Sequence, residues 1–351
     1  MARLRDLGLS IGVGRTGPRN AITDVTGVSV GHATVVRDEP RVARTGVTIV
    51  NTRPPAERSE LCYGGMHSFN GNGEMTGSHW LAESGLLSGP IGITNTHQVG
   101  LVRDTLVAEE VRRDPDATWL LPIVGETYDG FLNDIDAFHL TADDVRAAIT
   151  DADRDELVGE GNVGGGTGMV CHEFKGGIGT SSRRVELRDT TCTVGALVQA
   201  NYGQRHLLRL DGRPIGREIG GDIVPLPSDP TVGDAGSIIV VIATDAPLLA
   251  DQCTRLARRA TVGLARAGGT GGNGSGDIFL AFSTHNRVPV RGRDTMDVHT
   301  LPSGTMTPII DATAEAVEES IWNALCAAET MIGHSGRTVH AIPHELLTTL
   351  A

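Results

Sequence analysis

The sequence predicts a layered α/β or α+β domain. Two observations carry that reading: apolar strand-like runs recur along the 351 residues, and segments of helical period lie between them. Sheets and helices of this kind bury their apolar faces only by stacking in layers. No composition break divides the chain, so residues 1–351 are expected to form a single domain. Hydrophobic residues make up 39% and charged residues 21%, which suits a soluble globular protein. Aromatics are only 3%, against 46 glycines, so the core must rest on Val, Ile, Leu and Ala with many tight turns.

The elements follow in order. Residues 28–32, 46–50 and 90–95 read as strands set between glycine turns. Leu101, Thr105, Ala108 and Val111 recur at helical spacing. Thr141, followed by Asp143 and Asp144, reads as a helix start. Residues 193–198 and 237–242 are apolar strands with the pattern of burial on both faces. Between them, 212–236 carries four prolines and reads as a long surface loop, of a length that is often functional. Asp245 is placed to cap a helix bearing Leu249, Cys253, Leu256, Ala260 and Leu264, which Gly268 and Gly269 end. A further helix is expected from near Asp311, with Val317, Ile321 and Leu325. The C-terminal third thus runs strand, helix, glycine-rich turn, strand, helix.

Bulk properties exclude several classes. A net charge of −13 argues against nucleic-acid binding, which needs a basic face. No run approaches the roughly 18 apolar residues that span a bilayer, and the N-terminus lacks the apolar core of a signal peptide. Five cysteines without CxxC spacing read as reduced thiols in a cytoplasm. The histidines show no His-Glu-x-x-His spacing, so no metal site is expected.

The glycine run at 271–276 presents one hydroxyl, Ser275, ahead of the apolar run 278–283. A serine that becomes a chain terminus carries its own general base, since an α-amine has a pKa of about 8. The competing reading is a plain Asn-Gly hairpin turn at Asn273-Gly274. The Gly-x-Ser-x-Gly elbow fails, because Asp277 stands in the last position. Glu126 and Tyr128 lie in a polar, turn-like stretch and could bind an ammonium and polarise a carbonyl; an ordinary strand-end loop is the alternative. Asn201 ends a buried strand, as an oxyanion donor or a turn asparagine. Thr313 and Glu315 read as a relay, or as a helix's first turn.

These pieces occur together in one family. Residues 17–32, 73–77, 124–127, 162–169, 197–203, 243–248 and 274–278 resemble, in order, motifs of the L-aminopeptidase/D-esterase family, which includes the β-peptidyl aminopeptidases. The resemblance covers nearly the whole chain. It implies an αββα sandwich like that of N-terminal-nucleophile hydrolases, differently connected. It also implies a precursor that cuts itself before the nucleophile, here between Gly274 and Ser275, into fragments 1–274 and 275–351. Carried over by motif, Ser275 is the nucleophile and Asn201 the oxyanion donor. Glu126 holds the substrate ammonium, with Tyr128 near the carbonyl. Thr313 and Glu315 orient the nucleophile, with threonine where the family more often has serine. No metal or organic cofactor is implied, and the expected assembly is a homo-oligomer, a tetramer, of processed heterodimers. The expected substrates are short peptides, amides or esters with a free amino end. An amidase for ω-amino or cyclic amides, as in the related nylon-oligomer hydrolases, is the same-class alternative. An unprocessed, non-catalytic binding protein is the other.

Overall fold

The computed structural model describes every residue except Met1, 58–59, 117–118, 155–156, 229–235, 291–293 and Ala351. The first strands are β1 (Ser29–Arg37), β2 (Ala43–Asn51), β3 (Glu60–Ser68), β4 (Leu86–Leu87), β5 (Ile91–Asn95) and β6 (Val124–Thr127). A short hairpin, β7 (Val170–Cys171) and β8 (Phe174–Lys175), comes next. The long strands β9 (Gly177–Glu186), β10 (Thr191–Asn201), β11 (Ser237–Thr244) and β12 (Ile278–Pro289) follow, then a small pair, β13 (Met331–Ile332) and β14 (Thr338–Val339). The helices are α1 (Ser78–Ser84), α2 (Val99–Arg113), α3 (Ala142–Ala152), α4 (Ala250–Arg266), α5 (Thr307–Ala327) and α6 (His344–Leu350). Among the described residues, no helix is long and apolar enough to cross a membrane.

Two sheets form the centre. One has four strands in the order β1-β2-β5-β6, the other six in the order β4-β3-β12-β11-β10-β9. Val47, Ile49 and Val124 of the first sheet pack on Val102 and Leu106 of α2 and Ala148 of α3. Val198, Val240 and Phe279 of the second pack on Leu256 and Ala260 of α4 and Val317 and Ile321 of α5. Ile91 and Ile93 meet Leu197, Ile239, Val241 and Leu280 between the sheets. The layers therefore run helix, sheet, sheet, helix: the αββα sandwich. Strand alternation then fixes direction. Leu197 and Ile239 face the other sheet, so Gln199, Asn201 and Ser237 do too, while Val198, Ala200, Ile238 and Val240 face the helices.

β11 and β12 are parallel neighbours, and α4 is the crossover between them. Such a unit brings the starts of both strands to one end of the sheet. That places Ser237 beside the glycine run before β12.

Three local expectations are corrected. Asp245 does not cap α4: Leu249 is the N-cap, and the Asp245 carboxylate accepts from the Thr193 N–H at 2.6 Å. The last long helix begins at Thr307, a turn before Asp311, with Pro308 in its first turn. The stretch around Glu126 is no turn, since β6 pairs in parallel with β5 and is buried throughout. Gly125 is what permits this: a Cβ there would sit 3.2 Å from Ile239 Cδ1 of the facing sheet. In the 212–236 loop, residues 229–235 lie outside the described residues.

Candidate active site

Ser237 is the first residue of β11, a central strand of the six-stranded sheet. Its direct partner across the ladder is Asn201, the last residue of β10. Opposed residues present their side chains on one face, so the amide and the hydroxyl share the inner face of the sheet. On the other side, Ser237 Oγ accepts from the Gly276 N–H at 2.9 Å. Asp277 Oδ1 accepts from the Ile238 N–H at 3.2 Å, and burial pushes this carboxyl up to about 6.

Ser275 is buried, but it is not the strand-head serine: β12 begins three residues later, at Ile278. The turn that carries it is tied to the segment after β3. Asn72 N–H donates to Ser275 O at 3.1 Å, and Asn72 Nδ2 to Gly274 O at 2.7 Å. Asn70 Nδ2 donates to Gly272 O at 3.0 Å, and its Oδ1 accepts from the Asp277 N–H at 2.7 Å. Asn70 and Asn72 were not singled out from sequence, because both partners lie some 200 positions away.

Glu126 comes from the opposite sheet and is buried. Oε1 accepts from the Glu74 N–H at 3.0 Å and Oε2 from the Thr96 hydroxyl. Burial raises its pKa despite these bonds. A Cβ built on Gly73 would lie 3.1 Å from Gly276 Cα and 3.2 Å from Glu126 Oε1. The carboxylate and the serine-bearing turn thus face each other across the bare backbone of Gly73.

Asn201 is held at both ends of its amide. Oδ1 accepts from the Val170 N–H at 2.8 Å, and Nδ2 donates to Tyr128 O at 3.0 Å. One Nδ2–H remains for a further acceptor. Beneath Val170, the buried Lys175 ammonium donates to Met169 O and Gly176 O, both at 2.8 Å. The Tyr128 side chain is half exposed, its ring lying against Gly130 and steeply inclined to the His97 ring.

Thr313 and Glu315 do not join this site. Glu315 accepts from the Val13 and Gly14 N–H groups and from Arg183 Nε at 2.9 Å. Arg183 pairs in register with Val194, seven residues along β10 from Asn201. At roughly 3.3 Å per residue that is about 23 Å. Further along α5, Ser320 meets Ser181, so the helix approaches the Asn201 end only beyond Glu315. Thr313, one hydroxyl donating to Ile309 O at 2.7 Å, lies farther away still. Their surroundings are those of a structural ion pair: burial raises the Glu315 pKa, but the backbone donors and Arg183 hold it below the ordinary value. A hydroxyl and a carboxylate two residues apart do occur beside Ser237, as Ser275 and Asp277.

Comparison with known proteins agrees with this architecture. The profile of peptidase family S58 matches residues 20–339. The β-peptidyl aminopeptidase BapA of Sphingosinicella microcystinivorans is 45% identical over 364 residues, covering 99% of this chain and 91% of that protein. A β-aminopeptidase from a Burkholderia species superposes with a TM-score of 0.93 at 48% identity, covering 100% of this chain and 99% of the other. The L-aminopeptidase D-Ala-esterase/amidase of Ochrobactrum anthropi, described as a prototype serine aminopeptidase and a variant of the Ntn hydrolase fold, superposes at 0.92 with 45% identity, covering 100% and 98%. The chain belongs to peptidase family S58 and is a hydrolase of the serine aminopeptidase type.

Proposed function

We propose that the chain is an autoprocessing aminopeptidase whose nucleophile is Ser237, with Ser275 as a supporting hydroxyl rather than the attacking one. The observation that carries this is the position of Ser237: head of a central strand, opposite Asn201, with its Oγ fixed by the Gly276 N–H. In processing, Ser237 Oγ attacks the Gly236 carbonyl carbon and the C–N bond breaks. The acyl group passes to oxygen and the proton to nitrogen. Water then hydrolyses the ester, leaving fragments 1–236 and 237–351. The freed α-amine is the general base for the Ser237 hydroxyl in later turnovers. The spare Nδ2–H of Asn201 stabilises the oxyanion, and an acyl-enzyme on Ser237 is released to water.

A second reading keeps the cut at Gly274–Ser275. It is favoured by the bond from Asn72 Nδ2 to Gly274 O, which would stabilise an oxyanion formed there. It lacks an amide such as Asn201 paired with Ser275 across a strand.

Glu126 explains the requirement for a free amino end. Its carboxylate is buried, faces the serine-bearing turn and, among the described residues, has no cationic hydrogen-bond partner. The substrates are therefore short peptides, amides or esters with an N-terminal ammonium, and the β-aminopeptidase relatives extend this to β-residues. Five free, buried cysteines support a reducing, cytoplasmic setting, and the family resemblance supports a homo-oligomer.

Matched free and N-acetylated aminoacyl amides test this reading. Glu126→Gln should lose roughly 10–150-fold in kcat/KM on the free amine, the worth of a charge-assisted bond. The parent should show an acid limb above the ordinary carboxylate range, because burial raises the Glu126 pKa and only the ionised form attracts the ammonium. The Glu126 contribution to that limb should vanish in Glu126→Gln, while the contribution of the α-amine base remains. Equal rates on free and acetylated substrates would remove the aminopeptidase reading and favour a broader amidase.

A further inference from the structure

Beside Glu126 lies a row of aromatic rings that the reaction above does not use. Thr96, whose hydroxyl binds Glu126, is followed by His97. The His97 ring stacks on Phe138, with centroids 5.9 Å apart and planes at 26°. It also meets the Tyr128 ring, with centroids 6.5 Å apart and planes at 71°. Phe138 is 59% exposed and Tyr128 49%. Three rings thus form an open shelf next to the buried carboxylate.

The backbone holds the shelf at a cost. Phe138 has φ 50°, in the left-handed region that a bulky residue rarely adopts. Local strain of this kind clusters at ligand-binding positions. Asp136 holds His97 as well, with Nδ1 3.4 Å from the carboxylate. An exposed phenylalanine in a strained turn, stacked on a tethered imidazole, presents a flat apolar face to solvent.

We infer that His97, Phe138 and Tyr128 form the subsite for the side chain of the substrate's amino-terminal residue, and that they select an aromatic side chain there. This rests on Glu126 holding the ammonium. With the ammonium at Glu126, the adjoining side chain is led towards Thr96–His97. A substrate ring there would find stacking and edge partners, contacts that add to the area buried.

The test is kcat/KM for phenylalanyl and alanyl p-nitroanilides with the parent protein, Phe138→Gly and His97→Ala. Glycine suits the left-handed backbone at 138, so folding does not obscure the result. The parent should prefer the phenylalanyl substrate by about 10-fold. The preference should fall below about threefold in Phe138→Gly and shrink in His97→Ala. A parent ratio near one, a ratio unchanged in both variants, or a stronger preference for arginyl over phenylalanyl p-nitroanilide would overturn the subsite while leaving the Glu126 reading intact. A parent that hydrolyses no free-amino substrate would overturn both.

Discussion

Ser237→Ala is expected to abolish turnover and to leave the chain as one polypeptide of 351 residues. One hydroxyl serves both reactions, so its loss removes both together. Removing a nucleophile costs at least roughly 10³-fold in kcat. The substitution is mild structurally. Among the described residues Ser237 Oγ accepts the Gly276 N–H, so the variant leaves that backbone donor without its partner, about 1–3 kcal/mol. Ser275→Ala should still yield two fragments if, as proposed, its hydroxyl is not the attacking group. Intact Ser275→Ala beside processed Ser237→Ala would reverse the assignment. A denaturing gel and a p-nitroanilide assay on both variants separate the outcomes.

Asn201→Asp is expected to lower kcat by roughly 10²–10³-fold with little change in KM. An amide donor to a developing oxyanion acts on the transition state more than on the bound substrate. Aspartate keeps the oxygen that receives the Val170 N–H but removes every N–H on the other arm. It also sets an oxygen against the Tyr128 carbonyl where a donor stood. Melting temperatures of the parent and variant measure that structural cost separately. A kcat within about threefold of the parent, in a folded variant, would take Asn201 out of the oxyanion role.

Much of the fold was legible in the chain because its signals are local. The apolar runs at 193–198 and 237–242 became β10 and β11, and Thr141 caps α3 as its spacing indicates. The strand, helix, turn, strand, helix order of the last third became β11, α4, β12 and α5. The site was legible only in part. Glu126 and Asn201 lie at the same end of the sandwich as the two serines, each anchored by partners outside its own strand.

The misses share one cause: the deciding partners are distant in sequence. Thr313 and Glu315 match a hydroxyl-x-carboxylate spacing, but Arg183, 132 positions away, makes Glu315 structural. The Gly236-Ser237 junction carries the same signal as Gly274-Ser275, a glycine and a serine ahead of an apolar run. The sequence places Gly236 at the end of a proline-rich loop and Ser237 at the start of a buried strand, which gives its hydroxyl no chemical role by itself. The ladder pairing of Ser237 with Asn201, set by the sheet as a whole, separates the two serines.

The most direct test of the account is N-terminal sequencing of the purified protein, with intact masses of its fragments. The account predicts a smaller fragment beginning Ser-Ile-Ile-Val, from Ser237, beside a larger one ending at Gly236. A fragment beginning Ser-Gly-Asp-Ile, or an active protein that remains one uncut chain, would contradict it.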